Sequence, residues 1–147
     1  MLTWLIPNQL AKAGWSDALP PDTLYMIVAA EHPDAMWKLV DEPVDTPQQR
    51  GYLANAVSSA LAMLATGFRV IVTCQQGRSR SVTVACLAAA LWEQTSFDTQ
   101  FDKVLRQDPT IVQPSPLRAL AEKMYPQLFA VRQQSMVFHA NQLGVIA

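Results

Sequence analysis

The sequence is poor in charge, in cysteine and in long apolar runs, and each shortage excludes a class of protein. Only 16% of the 147 residues are charged and the formal net charge is −1, so the chain lacks the bulk positive charge with which many proteins hold nucleic acid. Two cysteines, Cys74 and Cys86, cannot form a disulfide framework, which favours a reducing compartment. The longest apolar stretch, residues 84–92, is far shorter than the ~20 residues that span a bilayer, and residues 1–6 lack the cationic start of a secretory signal. We therefore expect a soluble, cytoplasmic protein with no membrane partner and with nucleic acid disfavoured as a partner.

Half of the residues are hydrophobic, which is enough to bury one ordinary core in a chain of this length. No repeat, low-complexity run or Gly/Ser linker marks an internal boundary. We expect residues 1–147 to form one domain, in which residues 131–147, having no strong period, can form a C-terminal extension.

Short apolar runs before residue 41 predict three strands, at residues 2–6, 25–30 and 36–40. The clearest predicted helix follows: Thr46 is a good N-cap, Pro47 suits the first helical position, and Gln49 completes a capping box. Gly67 is expected to close this helix. One face of it is apolar, through Leu53, Val57, Leu61 and Leu64.

The continuous β-branched run at residues 70–72 is typical of a strand buried on both faces of a sheet, so we expect it to be central. A polar loop separates it from residues 82–92, which are apolar nearly all round and predict a buried helix. Two further helices are predicted at residues 97–106 and 116–129, the second capped by Ser115. The predicted fold class is α/β, with a mostly parallel sheet flanked by helices and a polar loop between a buried strand and a buried helix.

This polar loop, residues 74–81, reads Cys-Gln-Gln-Gly-Arg-Ser-Arg-Ser and has the composition of an anion site with a nucleophile at its floor. Backbone amides of a loop and the N-terminus of the following helix favour negative charge at the centre. The same field stabilises a thiolate at Cys74. Arg80 supplies a planar fork that can pair with two oxygens of a phosphoryl group, and Gly77 lies where the loop must turn sharply.

The loop and its surroundings resemble the cysteine-dependent phosphatases with a Cys-x5-Arg loop, and among them the small dual-specificity phosphatases. Residues 70–74 are similar to the family's strand into the nucleophile, and Arg80-Ser81 followed by Thr83 is similar to its helix start. Upstream, residues 40–43 resemble the segment that carries the family's aspartate. Downstream, residues 111–115 resemble the turn into its last helix. The resemblance covers roughly residues 36–129.

The resemblance implies a role for each matching residue. Cys74 would be the attacking thiolate, Arg80 the clamp on the phosphate, Asp41 the general acid and then the base, and Ser81 the hydrogen-bond partner of the sulfur. No metal or cofactor is needed. The phosphate-binding loop would comprise Gln75, Gln76, Gly77, Arg78, Ser79 and Arg80.

The sequence departs from the family at two positions. Thr73 stands where a histidine usually precedes the cysteine, so we expect reduced activity or a shifted pH optimum. Ser115 stands where many relatives have asparagine, which leaves the support of the loop from that side open. Asp45 is the alternative to Asp41 as general acid, although it can also be explained as a charge at a helix N-terminus. Cys86, inside an apolar helix, is expected to be a small buried core residue.

The leading functional hypothesis is a phosphomonoester hydrolase that acts on phosphotyrosine, and on phosphoserine or phosphothreonine if the site is shallow. Its partner is then a phosphorylated protein or peptide. Arg78 at the rim of the loop keeps open a phosphoinositide or a nucleic-acid 5′-phosphate as substrate. Thr73 keeps open a phosphate-binding pseudophosphatase. A rhodanese-type sulfurtransferase is disfavoured because its loop usually places the arginine one position closer.

Overall fold

The computed structural model describes the backbone of residues 1–142 and the side chains of residues 1–137. This part of the chain forms four strands and four helices in mixed order. The elements are β1 (Thr3–Ile6), β2 (Leu10–Gly14), β3 (Leu24–Ile27), α1 (Pro47–Ala65), β4 (Val70–Cys74), α2 (Arg80–Glu93), α3 (Phe97–Gln107) and α4 (Arg118–Gln142).

The strands form one sheet in the order β1-β2-β4-β3. β4 pairs in parallel with both β2 and β3, and β1 pairs antiparallel with β2. Every residue of β4 is buried, as expected for a β-branched strand with a neighbour on each side. The α/β class and the mostly parallel sheet are confirmed. Gly14 of β2 lies opposite Cys74, so the carboxyl ends of these strands meet at the edge where β4 ends.

The two faces of the sheet are covered differently. Leu10, Val70 and Val72 belong to a large core cluster that includes buried side chains of all four helices. Ala11, Ala13 and Ile71 belong to a small second cluster on the opposite face. Three partly buried side chains from the first twenty residues cover it: Leu2, Trp4 and Leu19.

Helix α1 begins and ends as its capping residues predict. Thr46 Oγ1 accepts a hydrogen bond from the Gln49 N–H, and Pro47 occupies the first helical position. Gly67, at φ +90°, donates to Leu64 O, and Phe68 donates to Met63 O, which completes a Schellman motif. The Gln49 side chain does not close the predicted capping box on Thr46. Instead it donates to the Val40 carbonyl and accepts from the Val40 N–H, so it anchors the segment before α1.

Helix α2 is buried from Arg80 to Leu91, which confirms the predicted buried helix and extends it by two residues at its start. Cys86 lies in its middle and is fully buried, as predicted. Burial raises the pKa of the Cys86 thiol far above its ordinary value.

Several boundaries predicted from the sequence are wrong. Residues 36–40 do not form a strand, because the backbone groups of Val40 bond to the Gln49 side chain and only Leu39 of that run is fully buried. Strand β2, with Lys12 at its centre, was missed. The strand predicted at residues 25–30 corresponds to β3, which ends at Ile27 rather than at residue 30.

The last helix also differs from its prediction. It begins at Arg118 rather than at residue 116, and it continues past Pro126 to Gln142. Residues 131–142, in which the sequence shows no strong period, belong to it, and residues 143–147 of the expected C-terminal extension lie outside the described residues. In the described part of the chain, no helix combines the length and the apolar character that crossing a bilayer requires.

Candidate active site

The carboxyl edge of the sheet opens into a cavity of about 250 Å³ at the end of β4. Cys74 lies at the point where the strand passes into the loop, and its side chain is almost fully buried. The cavity brings together residues from the loop, from the segment before α1 and from the turn before α4. Its lining residues are Asp41, Cys74, Gln75, Gln76, Arg78, Ser79, Arg80 and Val112.

The first turn of α2 faces the sulfur. Cys74 Sγ donates to Ser81 Oγ at 3.2 Å, and Ser81 is fully buried. When the thiol ionises, the hydroxyl becomes the donor, since a thiolate can only accept. The free N–H groups at the start of α2 and its dipole favour negative charge at the same place.

Two carbonyl groups of the loop between Cys74 and α2 accept hydrogen bonds from residues outside the loop. Gln75 O accepts from the Trp15 N–H at 3.3 Å, and Arg78 O accepts from the Val112 N–H at 2.9 Å. The C=O and the following N–H of a trans peptide point in opposite directions. The N–H groups of the same two peptides, those of Gln76 and Ser79, therefore point away from Trp15 and Val112. Backbone N–H groups of a loop that converge on one point can hold an oxyanion.

Gly77 makes the sharp turn that the sequence predicts. Its φ of +69° is a conformation that favours glycine, and a Cβ there would meet Gly14 N at 2.5 Å. A Cβ on Gly14 would in turn meet Gln76 C at 2.9 Å. Two glycines thus allow the end of β2 to pack directly against the loop, and only Gly77 was singled out from the sequence.

Arg80 is fixed by a carboxylate that sequence reasoning missed. Its Nη1 and Nη2 donate to the two carboxylate oxygens of Glu31, each at 2.5 Å, and Nη1 also donates to Leu39 O at 3.2 Å. The hydrogen bond to Arg80 lowers the pKa of Glu31, and the hydrogen bond to Glu31 raises the pKa of Arg80. These bonds use three of the five guanidinium N–H donors. Among the described residues the Nε–Nη2 edge has no further partner, so it is available to an anion in the cavity that Arg80 lines.

The two candidate acids occupy different surroundings. Asp41 lines the cavity and accepts a hydrogen bond from Ser79 Oγ at 2.6 Å. Asp45 instead pairs with Arg50 at 2.5 Å and with Lys123 at 2.9 Å, and the hydrogen bonds from these cations hold its pKa well below its usual range. Only Asp41 of the two lies beside Cys74 and Arg80.

The two departures from the family have distinct structural consequences. The Thr73 hydroxyl is buried and donates to Met26 O at 3.1 Å, so it ties β4 to β3. The Ser115 hydroxyl lies 2.9 Å from Ser79 Oγ and accepts from the Leu117 N–H. Ser115 thus supports the loop, from the turn that precedes α4.

Sequence reasoning missed a buried ion pair beneath the loop. The Lys12 side chain, fully buried in β2, donates to Asp108 Oδ2 at 2.5 Å and to Gly77 O at 2.8 Å. A lysine inside the otherwise small and apolar segment 10–14 was the one available signal. Glu31 carried no such signal, since it lies in a polar turn.

No family model matches the chain, and no curated protein matches it in sequence. The structure does match solved structures. DUSP15 superposes with a TM-score of 0.73 at 15% identity, over 90% of this chain and 93% of that one. PTPMT1 gives 0.68 at 17% identity, over 91% and 99%. A variant of human DUSP28 gives 0.66 at 21% identity, over 90% and 97%.

At these identities the likeness shows the fold. The chain has the α/β fold of the small dual-specificity phosphatases along nearly its whole length, which confirms the fold expected from the resemblance. The chemistry of the site is a separate question, because one fold can host several functions.

Proposed function

We propose that this protein is a cysteine-dependent phosphomonoester hydrolase that acts on phosphorylated proteins or peptides through a phosphocysteine intermediate. One observation carries the proposal: a single cavity is lined by a thiol, an arginine and a carboxylic acid, at Cys74, Arg80 and Asp41. A phosphoryl group in that cavity would meet a nucleophile at its floor, a cationic fork beside it and a proton donor above it.

In the first step the Cys74 thiolate attacks phosphorus and the bond from phosphorus to the leaving oxygen breaks. Asp41 gives its proton to that oxygen, so the alcohol or phenol leaves neutral. Arg80 and the loop N–H groups stabilise the negative charge on the oxygens that remain on phosphorus. The product is a phosphoryl group bonded to the sulfur of Cys74.

In the second step water replaces the sulfur. The Asp41 carboxylate takes a proton from the water as its oxygen bonds to phosphorus, and the bond between phosphorus and sulfur breaks. Ser81 donates a hydrogen bond to the departing thiolate, a role that its short contact with Cys74 supports. Inorganic phosphate leaves, and Asp41 is protonated again for the next cycle.

The shape of the cavity bears on the substrate. Asp41 and Arg78 are both solvent exposed although they line it, so the cavity is shallow. A shallow site admits phosphoserine and phosphothreonine as well as the longer phosphotyrosine. Arg78 at the rim favours substrates with further negative charge beside the phosphate, and a phosphoinositide or a nucleic-acid 5′-phosphate is the second candidate on that ground.

Hydrolysis of a small aryl phosphate between about pH 5 and 8 tests the proposal. We expect phosphate release by the wild type and by Cys86→Ala, which removes the other thiol, and none above background by Cys74→Ser. Release that survives Cys74→Ser would refute the covalent mechanism. No release by the wild type, together with binding of inorganic phosphate, would favour a phosphate-binding pseudophosphatase.

A further inference from the structure

Lys12 and Asp108 form an ion pair that the proposed mechanism does not use. Both side chains are almost fully buried, at 0% and 2% exposure, and Lys12 Nζ lies 2.5 Å from Asp108 Oδ2. Burying two charges costs more free energy than burying apolar side chains of similar size, and exchanging such a pair for apolar residues is often neutral or stabilising. Stability of the fold therefore does not by itself explain why a lysine lies at the centre of β2.

The second hydrogen bond of Lys12 goes to the loop. Its Nζ donates to Gly77 O at 2.8 Å, on the side where β2 packs against the loop. Gly77 and Arg78 share one peptide group, so fixing this carbonyl toward Lys12 directs the Arg78 N–H to the opposite side. Arg78 lines the cavity, so an N–H turned away from Lys12 is placed to donate to an anion there.

This peptide group is one that can rotate. A flip of this peptide changes ψ of Gly77 and φ of Arg78, and Gly77 has no Cβ to restrict its ψ. If the peptide flipped, the carbonyl would face the anion and the N–H would face away. A strong hydrogen-bond donor on the side of the peptide away from the cavity selects the orientation that an oxyanion needs. The charged ammonium group of Lys12 is such a donor.

Asp108 holds the ammonium group in place and links it to a second contact with the loop. Its other oxygen accepts from the N–H and the hydroxyl of Thr110. Burial raises the pKa of Asp108, but the hydrogen bonds from Lys12 and Thr110 outweigh burial and lower it to about 2. The same turn supplies the Val112 N–H that holds Arg78 O. The carbonyl groups on both sides of the Arg78 N–H are thus fixed by one assembly.

We propose that Lys12 is a positioning residue of this site. Its ammonium group, held by Asp108, keeps the Gly77 carbonyl turned away from the cavity, so that the Arg78 N–H donates to the bound phosphoryl oxygen. The inference rests on the proposed function only in taking the anion to be a phosphoryl group. It assigns no contact between Lys12 and the substrate.

Two variants separate this role from a purely structural one. Lys12→Met with Asp108→Asn removes the donor to Gly77 and leaves no unpaired buried charge, while the introduced amide keeps an acceptor for Thr110. Asp108→Asn alone keeps the donor but leaves the Lys12 charge unpaired. We expect the double variant to be the more stable of the two and the weaker binder of phosphate.

The measurements are the dissociation constant of inorganic phosphate by calorimetry, the thermal midpoint, and kcat/KM on a small aryl phosphate. For the double variant we expect phosphate affinity to fall about tenfold and kcat/KM by about ten- to a hundredfold, because a loop donor is misdirected. For Asp108→Asn we expect the lower thermal midpoint of the two variants but a smaller loss of phosphate affinity than in the double variant, because the Lys12 amine remains to donate to Gly77 O. Phosphate affinity that follows the thermal midpoint across the variants, or a double variant that binds like the wild type, would overturn the proposal.

A measurement on the unmodified protein keeps the test independent of variant folding and of turnover. On addition of inorganic phosphate, the backbone amide of Arg78 should show one of the largest proton shifts in the NMR spectrum. An Arg78 amide that does not respond while phosphate binds would overturn the inference. If the wild type binds phosphate with this signature but hydrolyses no phosphate ester, the proposed function fails and the role of Lys12 in the anion site holds.

Discussion

Cys74 and Cys86 are both buried free thiols, joined by the loop and the first half of α2, yet their surroundings have almost nothing in common. Cys74 lies where parallel strands end, with a hydroxyl at 3.2 Å and an arginine and an aspartate lining the same cavity. Cys86 lies in the middle of α2, among the apolar residues that pack the helix against the sheet and the other helices. Burial therefore does not distinguish the thiol to which we assign the reaction from the thiol in the core. Position relative to the carboxyl edge of the sheet does.

The same contrast holds for the whole loop end of the molecule against the apolar middle of its core. At the loop end, buried or half-buried polar groups are paired: Arg80 with Glu31, Ser79 with Asp41 and Lys12 with Asp108. Among the described side chains, the buried polar atoms without a partner are Arg69 Nε and Gln100 Oε1, neither of which belongs to the cavity lining. The polar side chains around the loop are thus held by partners within the protein, which is what electrostatic stabilisation of a transition state requires.

The largest expected effect concerns Asp41 and Asp45, which lie close in sequence although only Asp41 lines the cavity. Asp41→Asn should lower kcat on an alkyl phosphate by about a hundredfold to ten-thousandfold, because the leaving oxygen loses its proton donor. Asp45→Asn, the matched control, should leave kcat within about twofold, since Asp45 pairs with Arg50 and Lys123 away from the cavity. Steady-state kinetics at the pH optimum measures both. A larger loss for Asp45→Asn would assign the acid to Asp45, and equal losses would contradict the assignment to Asp41 alone.

Substituting serine for each cysteine in turn tests the contrast between Cys86 and Cys74. Cys86→Ser places a hydroxyl where the surroundings are apolar, and we expect it to lower the free energy of unfolding by about 2–3 kcal/mol. Its kcat should not change. Cys74→Ser should show the reverse, with near wild-type stability and no turnover. Urea unfolding and the aryl phosphate assay together test this, and loss of activity in a folded Cys86→Ser protein would contradict it.

The smallest effect concerns acid stability of the loop end. The pKa of Asp108 is lowered from 3.8 to about 2 in the fold, so its carboxylate contributes stability above its unfolded pKa. That contribution, about 2 kcal/mol, is lost as the pH falls from about 4 to about 2. Lys12→Met with Asp108→Asn lacks this group and should lose about 2 kcal/mol less over the same range. Urea unfolding at several pH values measures this difference. An equal loss of unfolding free energy in the wild type and in the double variant over this pH range would contradict the contribution assigned to Asp108.

Elements with strong local signals were predictable from the sequence. Helix α1 follows from Thr46, Pro47 and Gly67, and β4 and α2 follow from a β-branched run and an all-round apolar segment. Strand β2 was missed because Lys12 breaks its apolar pattern, and only pairing with β4 makes it a strand. The apolar run at residues 36–40 suggested a strand, but its bonding partner is a side chain of α1.

The candidate site divides in the same way. The thiol, the arginine and the turn glycine lie in one short segment, so their spacing could be recognised. Glu31 is 49 residues from Arg80, and Asp108 is 96 residues from Lys12. No pattern in a single sequence links residues so far apart, since the sheet order and the position of the turn after α3 bring them together.

The most direct test of the central claim is to look for phosphate on the protein during turnover. Wild-type protein mixed with an aryl phosphate, stopped within milliseconds and analysed by peptide mass spectrometry should carry a phosphoryl group on the peptide that contains Cys74. Ser81→Ala should carry more, because the thiolate that departs in the second step has lost its hydrogen-bond donor. A phosphoryl group on another residue, or turnover with unmodified Cys74 at every time point, would contradict a phosphocysteine intermediate.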